Sequence, residues 1–200
     1  MKINFNFPIL KQKLKSHKKI KKELLKLIDE EPTHSLKKTD PQHTDPTSSS
    51  ISRLDWHNRN NFKRKWVQLL VKDLYNNFEN QINEIGLKGV EINDLWFQQY
   101  FREDTHGWHI HGHSFTGVYY LELFKDSPRT QIVEPTTKRV ITVEAKEGDV
   151  IIFPSVYIHR APSLKTNKRK TIVSFNFSCK EVTLKFVERL NLKIPKHTHD

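Results

Sequence analysis

The chain reads as mainly β, an antiparallel sandwich or barrel preceded by two flanking N-terminal helices. Three observations carry this. From residue 91 onward, short runs rich in Val, Ile, Thr, Tyr and Phe are separated by turn-forming residues. Before that point, two segments repeat apolar residues every three or four positions. No helical period interrupts the β runs, so the strands are expected to pair antiparallel rather than through helical crossovers.

The first helical segment, 17–31, places Ile20, Leu24, Leu27 and Ile28 on one side, and Pro32 stops it. Residues 32–50 are rich in Thr, Ser, Pro, His and Asp and read as an irregular surface loop, either mobile or a cover on the substrate side. The second helix is marked by Phe62, Trp66, Leu69, Leu70, Leu74, Phe78, Ile82 and Ile85, with Gly86 as its C-terminal cap. Each helix has one apolar face, so both should pack on the outside of the β-core. The strand candidates are 92–101, 116–124, 130–133, 139–144, 150–153, 157–160 and 171–178. A last amphipathic stretch, 182–192, is expected to be helical, ahead of a frayed tail at 195–200. The expected organisation is a single domain: a helical and loop region at 1–90, a β-core at 91–180 and a C-terminal helix and tail at 181–200.

The charge balance keeps nucleic acid among the candidate partners without favouring it. Net charge is +11, but much of the excess lies in one lysine-rich run at 11–26, and lysine-rich helices are commonly just solvated. No zinc-finger spacing and no RNP-type aromatic strand accompanies it. No run of apolar residues is long enough for a membrane span, and the N-terminal residues lack the pattern of a secretory signal. The single cysteine, Cys179, rules out an internal disulfide and suits a reducing cytoplasm.

The chemistry is expected in a histidine cluster, His106, His109, His111 and His113. Two residues apart on a strand, His109 and His111 would project from one face and chelate one ion. His106 and His113 could be supporting or exposed. A third ligand is offered by His159, which follows a tight Gly148-Asp149 turn, a buried strand and a break at Pro154. A strand ending beside the His-x-His strand would complete a facial triad with open positions. A lone strand histidine is more often a surface or hydrogen-bonded residue; the combination is what points to metal.

With these residues in view, the stretch from about Leu95 to Phe177 resembles the double-stranded β-helix Fe(II)/2-oxoglutarate oxygenases, in particular the small bacterial and phage branch and the prolyl-4-hydroxylase type. The resemblance rests on His109-Ile-His111, Gly117-Val-Tyr-Tyr120-Leu, Glu147-Gly-Asp-Val-Ile-Ile-Phe-Pro, His159, and Arg169-Lys-Thr-Ile-Val-Ser-Phe-Asn-Phe177. It implies a distorted double-stranded β-helix, or jelly roll. It also implies Fe(II) held by His109, His111 and His159, with His111 in the slot where the family usually has a carboxylate, and 2-oxoglutarate and O2 as co-substrates. The same resemblance implies an anchor for the distal carboxylate of 2-oxoglutarate. Arg169 stands ten residues after His159, with Thr171 on the same strand face; a register aligned on Ser174-Phe-Asn176 puts Lys170 there instead. Tyr120 and Tyr100 are candidate hydroxyl donors, and Trp108 a packing residue or substrate wall. No catalytic side chain beyond the metal site is implied.

The reaction class expected is hydroxylation of an unidentified substrate: a protein side chain, a free amino acid or a nucleobase. Two other readings compete. A cupin-like isomerase or dioxygenase without 2-oxoglutarate would want a glutamate about four residues beyond His-x-His, where this chain has Phe115 and Thr116 and its next acid is Glu122. A non-catalytic basic binding module would make metal dispensable and binding steeply salt-dependent. Neutral imidazoles are needed for ligation, so a three-histidine site is expected to lose metal as pH falls through roughly 6.5.

Overall fold

Residues 7–36 and 45–189 are described by the structure, a computed structural model. In chain order the elements are β1 (Leu10–Lys13), α1 (His17–Glu30), β2 (His34–Leu36), β3 (Ile51–Leu54), a 3-10 turn (Trp56–Asn58), α2 (Lys65–Glu84), β4 (Leu87–Tyr100), β5 (His106–His109), β6 (Phe115–Glu122), β7 (Gln131–Val133), β8 (Val140–Thr142), β9 (Asp149–Pro154), β10 (His159–Ala161), β11 (Lys170–Val182) and α3 (Leu184–Arg189). The strands pair antiparallel into a seven-stranded sheet, β1-β9-β6-β11-β4-β3-β2, facing a four-stranded sheet, β5-β10-β7-β8. This is the double-stranded β-helix expected, mainly β with flanking helices.

Two-residue alternation sorts the large sheet into two faces. Val173, Phe175 and Phe177 of β11, Leu95 and Phe97 of β4, and Tyr119 and Leu121 of β6 share one buried cluster with the helices. Ile172, Tyr100, Val118 and Tyr120 turn the other way, into a second cluster between the sheets. Helix α1 contributes Ile20, Leu24 and Ile28 to the first cluster. Helix α2 adds Trp66, Leu70, Leu74, Phe78 and Ile82. Each fully buried large side chain contributes about 1.5–3 kcal/mol, and the Phe78 ring stacks on Phe177 and Phe175 at 4.8 and 5.3 Å. Gly117 lies opposite Phe175 in the ladder. A Cβ there would stand 2.0 Å from the Phe175 ring, so no larger residue fits without repacking.

Both long helices fall where the apolar period places them, and Gly86, at φ 90°, ends α2 by donating its N–H to Asn83 O at 3.1 Å. The N-terminal region contributes more than helices and loops. β1 pairs with β9, and β3 pairs with β4, extending the large sheet at both ends. Of the loop read at 32–50, β2 is a short strand, 37–44 lie outside the described residues, and 46–50 lie against β5. Trp108 N donates to Pro46 O at 3.0 Å, and Ser50 bridges Thr105. That approach needs Gly107, where a Cβ would meet the Thr47 backbone at 2.3 Å. The C-terminal helix is present as α3; 190–192 and the tail at 195–200 lie outside the described residues. No helix among the described residues is long and apolar enough to cross a membrane.

Candidate metal centre and co-substrate pocket

Two short strands of the small sheet set the site. His109 closes β5, and His159 opens β10 directly opposite it in the ladder. His111 lies past the end of β5 rather than on it. Its backbone N–H donates to Ser155 O at 3.0 Å, which returns its ring to the same spot. One ligand-capable nitrogen from each of the three rings lies within 4.8 Å of the others, close enough to share an ion.

The ring orientations suit metal ligation. His109 Nδ1 is 2.7 Å from Gly107 O, and His159 Nδ1 is 2.8 Å from Tyr157 O. A carbonyl oxygen only accepts, so both Nδ1 atoms carry the proton and both Nε2 atoms keep a lone pair. Burial, reinforced by the neighbouring His109, pushes His159 down to about 2. Burial and then His109 push His111 down to about 4. Burial likewise lowers His109. Proton competition for the folded site therefore sets in below the unperturbed histidine value near which the sequence places it.

The other two cluster histidines separate. His113 faces outward and meets Asp94 at 3.0 Å. His106 stacks on His109, ring centroids 3.8 Å apart and planes 17° from parallel. Desolvation, then the three neighbouring imidazoles, hold it well below its ordinary value. Trp108 lies under the Arg160 guanidinium, 4.4 Å away.

The two candidate anchors also separate, because adjacent residues of β11 face opposite ways. Arg169 turns to the helix side, where its Nε donates to Glu122 at 2.8 Å and its guanidinium pairs with Asp29 at 2.8 Å. Thr171 donates to the same Glu122 at 2.9 Å. Neither faces the histidines, so the register that puts Arg169 and Thr171 at the co-substrate is not the one adopted here. Lys170 turns inward and is 1% exposed. Its ammonium donates to Pro128 O at 2.9 Å and lies 4.9 Å from the centre of the Tyr100 ring, with no carboxylate in ion-pair range among the described residues. Burial, then Arg129, lower it to about 7. Tyr120 is fully buried and donates to Thr130 at 2.7 Å, whereas Tyr100 lines the cavity and donates to Gln98 at 3.2 Å.

The cavity between the sheets is lined by the three imidazoles together with Trp96, Gln98, Tyr100, Ile172 and Ser174, and the Lys170 ammonium lies against the ring of Tyr100. Gln98 was not singled out from sequence, and Ser174 entered only as a marker of strand register. The available signal was alternation: both share a strand face with Tyr100 or Lys170. A neutral three-nitrogen set suits a borderline divalent ion such as Fe(II), and the buried cation suits a dicarboxylate.

Residues 94–176 match the family model described as "Putative 2OG-Fe(II) oxygenase". No protein of curated function matches the chain in sequence. Among solved structures, the chain is similar to a viral collagen prolyl hydroxylase from Paramecium Bursaria Chlorella virus-1, at 14% identity and TM-score 0.59, covering 84% of this chain and 94% of that one. It is similar to a Pseudomonas putida prolyl-4-hydroxylase, at 13% identity and TM-score 0.60, covering 86% and 93%. It is also similar to a non-heme alpha ketoglutarate dependent epimerase from nogalamycin biosynthesis, at 9% identity and TM-score 0.64, covering 96% and 86%. At these identities the likeness to solved structures is one of fold.

Proposed function

We propose that the chain is a 2-oxoglutarate/Fe(II) oxygenase, a hydroxylase in which His109, His111 and His159 hold the iron and Lys170 binds the distal carboxylate of 2-oxoglutarate; the family model that matches residues 94–176 supports this reading. One observation carries the assignment of the anchor: Lys170 is buried, turned inward against Tyr100 of the cavity wall, with no carboxylate in ion-pair range among the described residues. An unpaired buried charge is costly, and an incoming carboxylate relieves that cost. Iron held by the three histidines, with 2-oxoglutarate and O2, would supply an oxidant for an unactivated C–H bond, the 2-oxoglutarate being converted to succinate and carbon dioxide.

The chain's own residues do the rest. Gly107 O and Tyr157 O fix two ligand rings in the tautomer that presents Nε2. Trp96 and Phe153 pack beside His111 and His159, 5.8 and 4.8 Å between ring centres, and keep water from that side. Tyr100 lies against Lys170 and keeps the ammonium in an apolar setting, where a charge-assisted bond is strongest. The primary substrate enters through the groove beside His111, lined by Trp56, Arg59, Asp94, Ile110 and His113. A protein side chain, a free amino acid and a nucleobase are the classes to try there. A reducing cytoplasm is the setting we propose from the lone Cys179.

The test is succinate formation from 2-oxoglutarate by protein reconstituted with Fe(II) under argon and then given O2, with and without members of each class. Succinate that depends on iron, and rises with one class, supports the reading. A protein that binds iron but neither binds nor consumes 2-oxoglutarate would instead fit the cupin-like alternative.

A further inference from the structure

His106 lies at the metal end of the cavity, beside His109, but its hydrogen bonds differ from those of its neighbours. Gln98 Oε1 accepts from the Tyr100 hydroxyl at 3.2 Å and from Ser174 Oγ at 3.3 Å. With the amide oxygen so occupied, Gln98 Nε2 faces His106 Nδ1 at 3.3 Å. An amide nitrogen has no lone pair to offer, so it donates and Nδ1 accepts. A neutral imidazole whose Nδ1 accepts carries its proton on Nε2. His109 and His159 are the reverse: their Nδ1 atoms face carbonyl oxygens, which leaves Nε2 bare for a metal. Two kinds of imidazole therefore stand side by side, ring on ring.

We propose that His106 is not a metal ligand but a co-substrate-binding residue, an Nε2–H donor that binds the oxalyl end of 2-oxoglutarate while Lys170 binds the other end. The proposal rests on the reading of the preceding subsection. Its geometric basis is the spacing along the cavity wall. Gln98, the hydrogen-bond partner of His106, pairs with Ile172 across the β11–β4 ladder, and Lys170 pairs with Tyr100. Two residues of strand separate these positions, roughly 7 Å at about 3.3 Å per residue. The donor and the ammonium thus address different ends of a bound dicarboxylate. The ring is also held in place. His106 pairs with Ala161, and the next residue, Gly107, donates to Ser49 Oγ at 3.1 Å. A donor fixed before binding costs little ordering when the anion arrives.

The test uses the Zn(II)-loaded protein, which needs no turnover. The side-chain 15N resonances of the parent's histidines should show one ring, removed by His106→Phe or His106→Gln, in the Nε2–H form with Nδ1 unprotonated. Calorimetry with 2-oxoglutarate and with succinate, which lacks the oxalyl end, then separates the two ends. His106→Phe keeps a flat ring and loses the donor. It should weaken 2-oxoglutarate binding by about tenfold or more, the scale of one hydrogen bond to a charged group, while leaving succinate and metal binding as in the parent. His106→Gln, which restores an N–H at similar reach, should recover most of the loss. An Nδ1–H form, loss of stoichiometric metal in either variant, or undiminished 2-oxoglutarate affinity in His106→Phe would each overturn the proposal. Should His106→Phe not fold, the parent's 15N signature and His106→Gln decide it. A parent that takes up Zn(II) but no 2-oxoglutarate would remove the underlying reading and this inference with it, whereas a parent that binds and a His106→Phe that binds equally well removes the inference alone.

Discussion

Arg169 and Lys170 are neighbours on one strand and carry the same charge, yet the pleat of β11 sends them into opposite surroundings. Arg169 is spent on structure, tying β11 to Glu122 of β6 and to Asp29 of α1. Lys170 has only a backbone carbonyl and an aromatic face. Across the cavity, the Nε2 atoms of His109 and His159 likewise keep capacity in reserve, since their Nδ1 atoms alone meet carbonyl oxygens. A side chain whose bonding capacity is already filled holds the fold together, and one whose capacity is unfilled is available to a ligand.

If that contrast is right, changes on the cavity side should remove binding while sparing the fold, and changes on the helix side should do the opposite. The largest effect is expected at the metal. His159→Ala and His109→Ala should each abolish stoichiometric Fe(II) binding, with the far-UV spectrum unchanged, whereas His113→Ala should bind as the parent does. Metal titration with both alanine variants retaining parental affinity would dismantle the triad.

Next in size is the anchor. Lys170→Met should weaken 2-oxoglutarate binding by roughly tenfold to a hundredfold, since bonds to charged groups contribute about 1.5–3 kcal/mol, and iron affinity should be retained. Arg169→Ala should leave 2-oxoglutarate binding untouched and lower stability by less than about 1 kcal/mol, as expected for a partly exposed ion pair. The two are compared by titrating the iron-to-keto-acid absorption band under argon. An effect at Arg169 with none at Lys170 would invert the assignment.

A smaller effect concerns pH. Lys170 is lowered to about 7 by burial, with Arg129 adding to it. A carboxylate partner favours the charged form, so binding above that value must also take up a proton. Affinity for 2-oxoglutarate should therefore fall as pH rises past 7, by up to about tenfold per unit. Lys170→Arg, which stays charged, should flatten the slope. Affinity that stays level from pH 7 to 9 in the parent argues against a neutral lysine. Last comes the helix side. Gly117→Ala drives a methyl into the Phe175 ring. It should cost about 1–3 kcal/mol of stability, read as a lower unfolding temperature, while metal affinity in the folded protein is kept.

Much of this was legible in the sequence because it depends on period. The stripes of α1 and α2, the β runs after residue 91 and the cap at Gly86 each follow from side-chain spacing alone. β1 was not, since Leu10-Lys-Gln-Lys has too little apolar character to read as a strand; β9 supplies its backbone pairing. The placement of His111 was missed for a different reason: its position depends on a hydrogen bond to Ser155, more than forty residues away in sequence. The face of β11 could not be chosen between Arg169 and Lys170 because the strand is buried on both sides, so no apolar–polar alternation marks which side is inward. Gln98 and His106 form a network across two sheets, which no local pattern announces.

The small sheet is built from strands of three and four residues, and the pair at one edge of it joins His109 to His159. Strands so short hold each other weakly. An ion bound there would cross-link the ends of a loop of about fifty residues, and an ion that binds the folded chain but not the unfolded one stabilises the folded form by mass action. The metal would then be a mechanical part as well as a chemical one. Its removal should leave the helix-backed sheet intact and raise amide hydrogen exchange selectively in β5, β7 and β10, so that the protein would report its iron content through the stiffness of one wall.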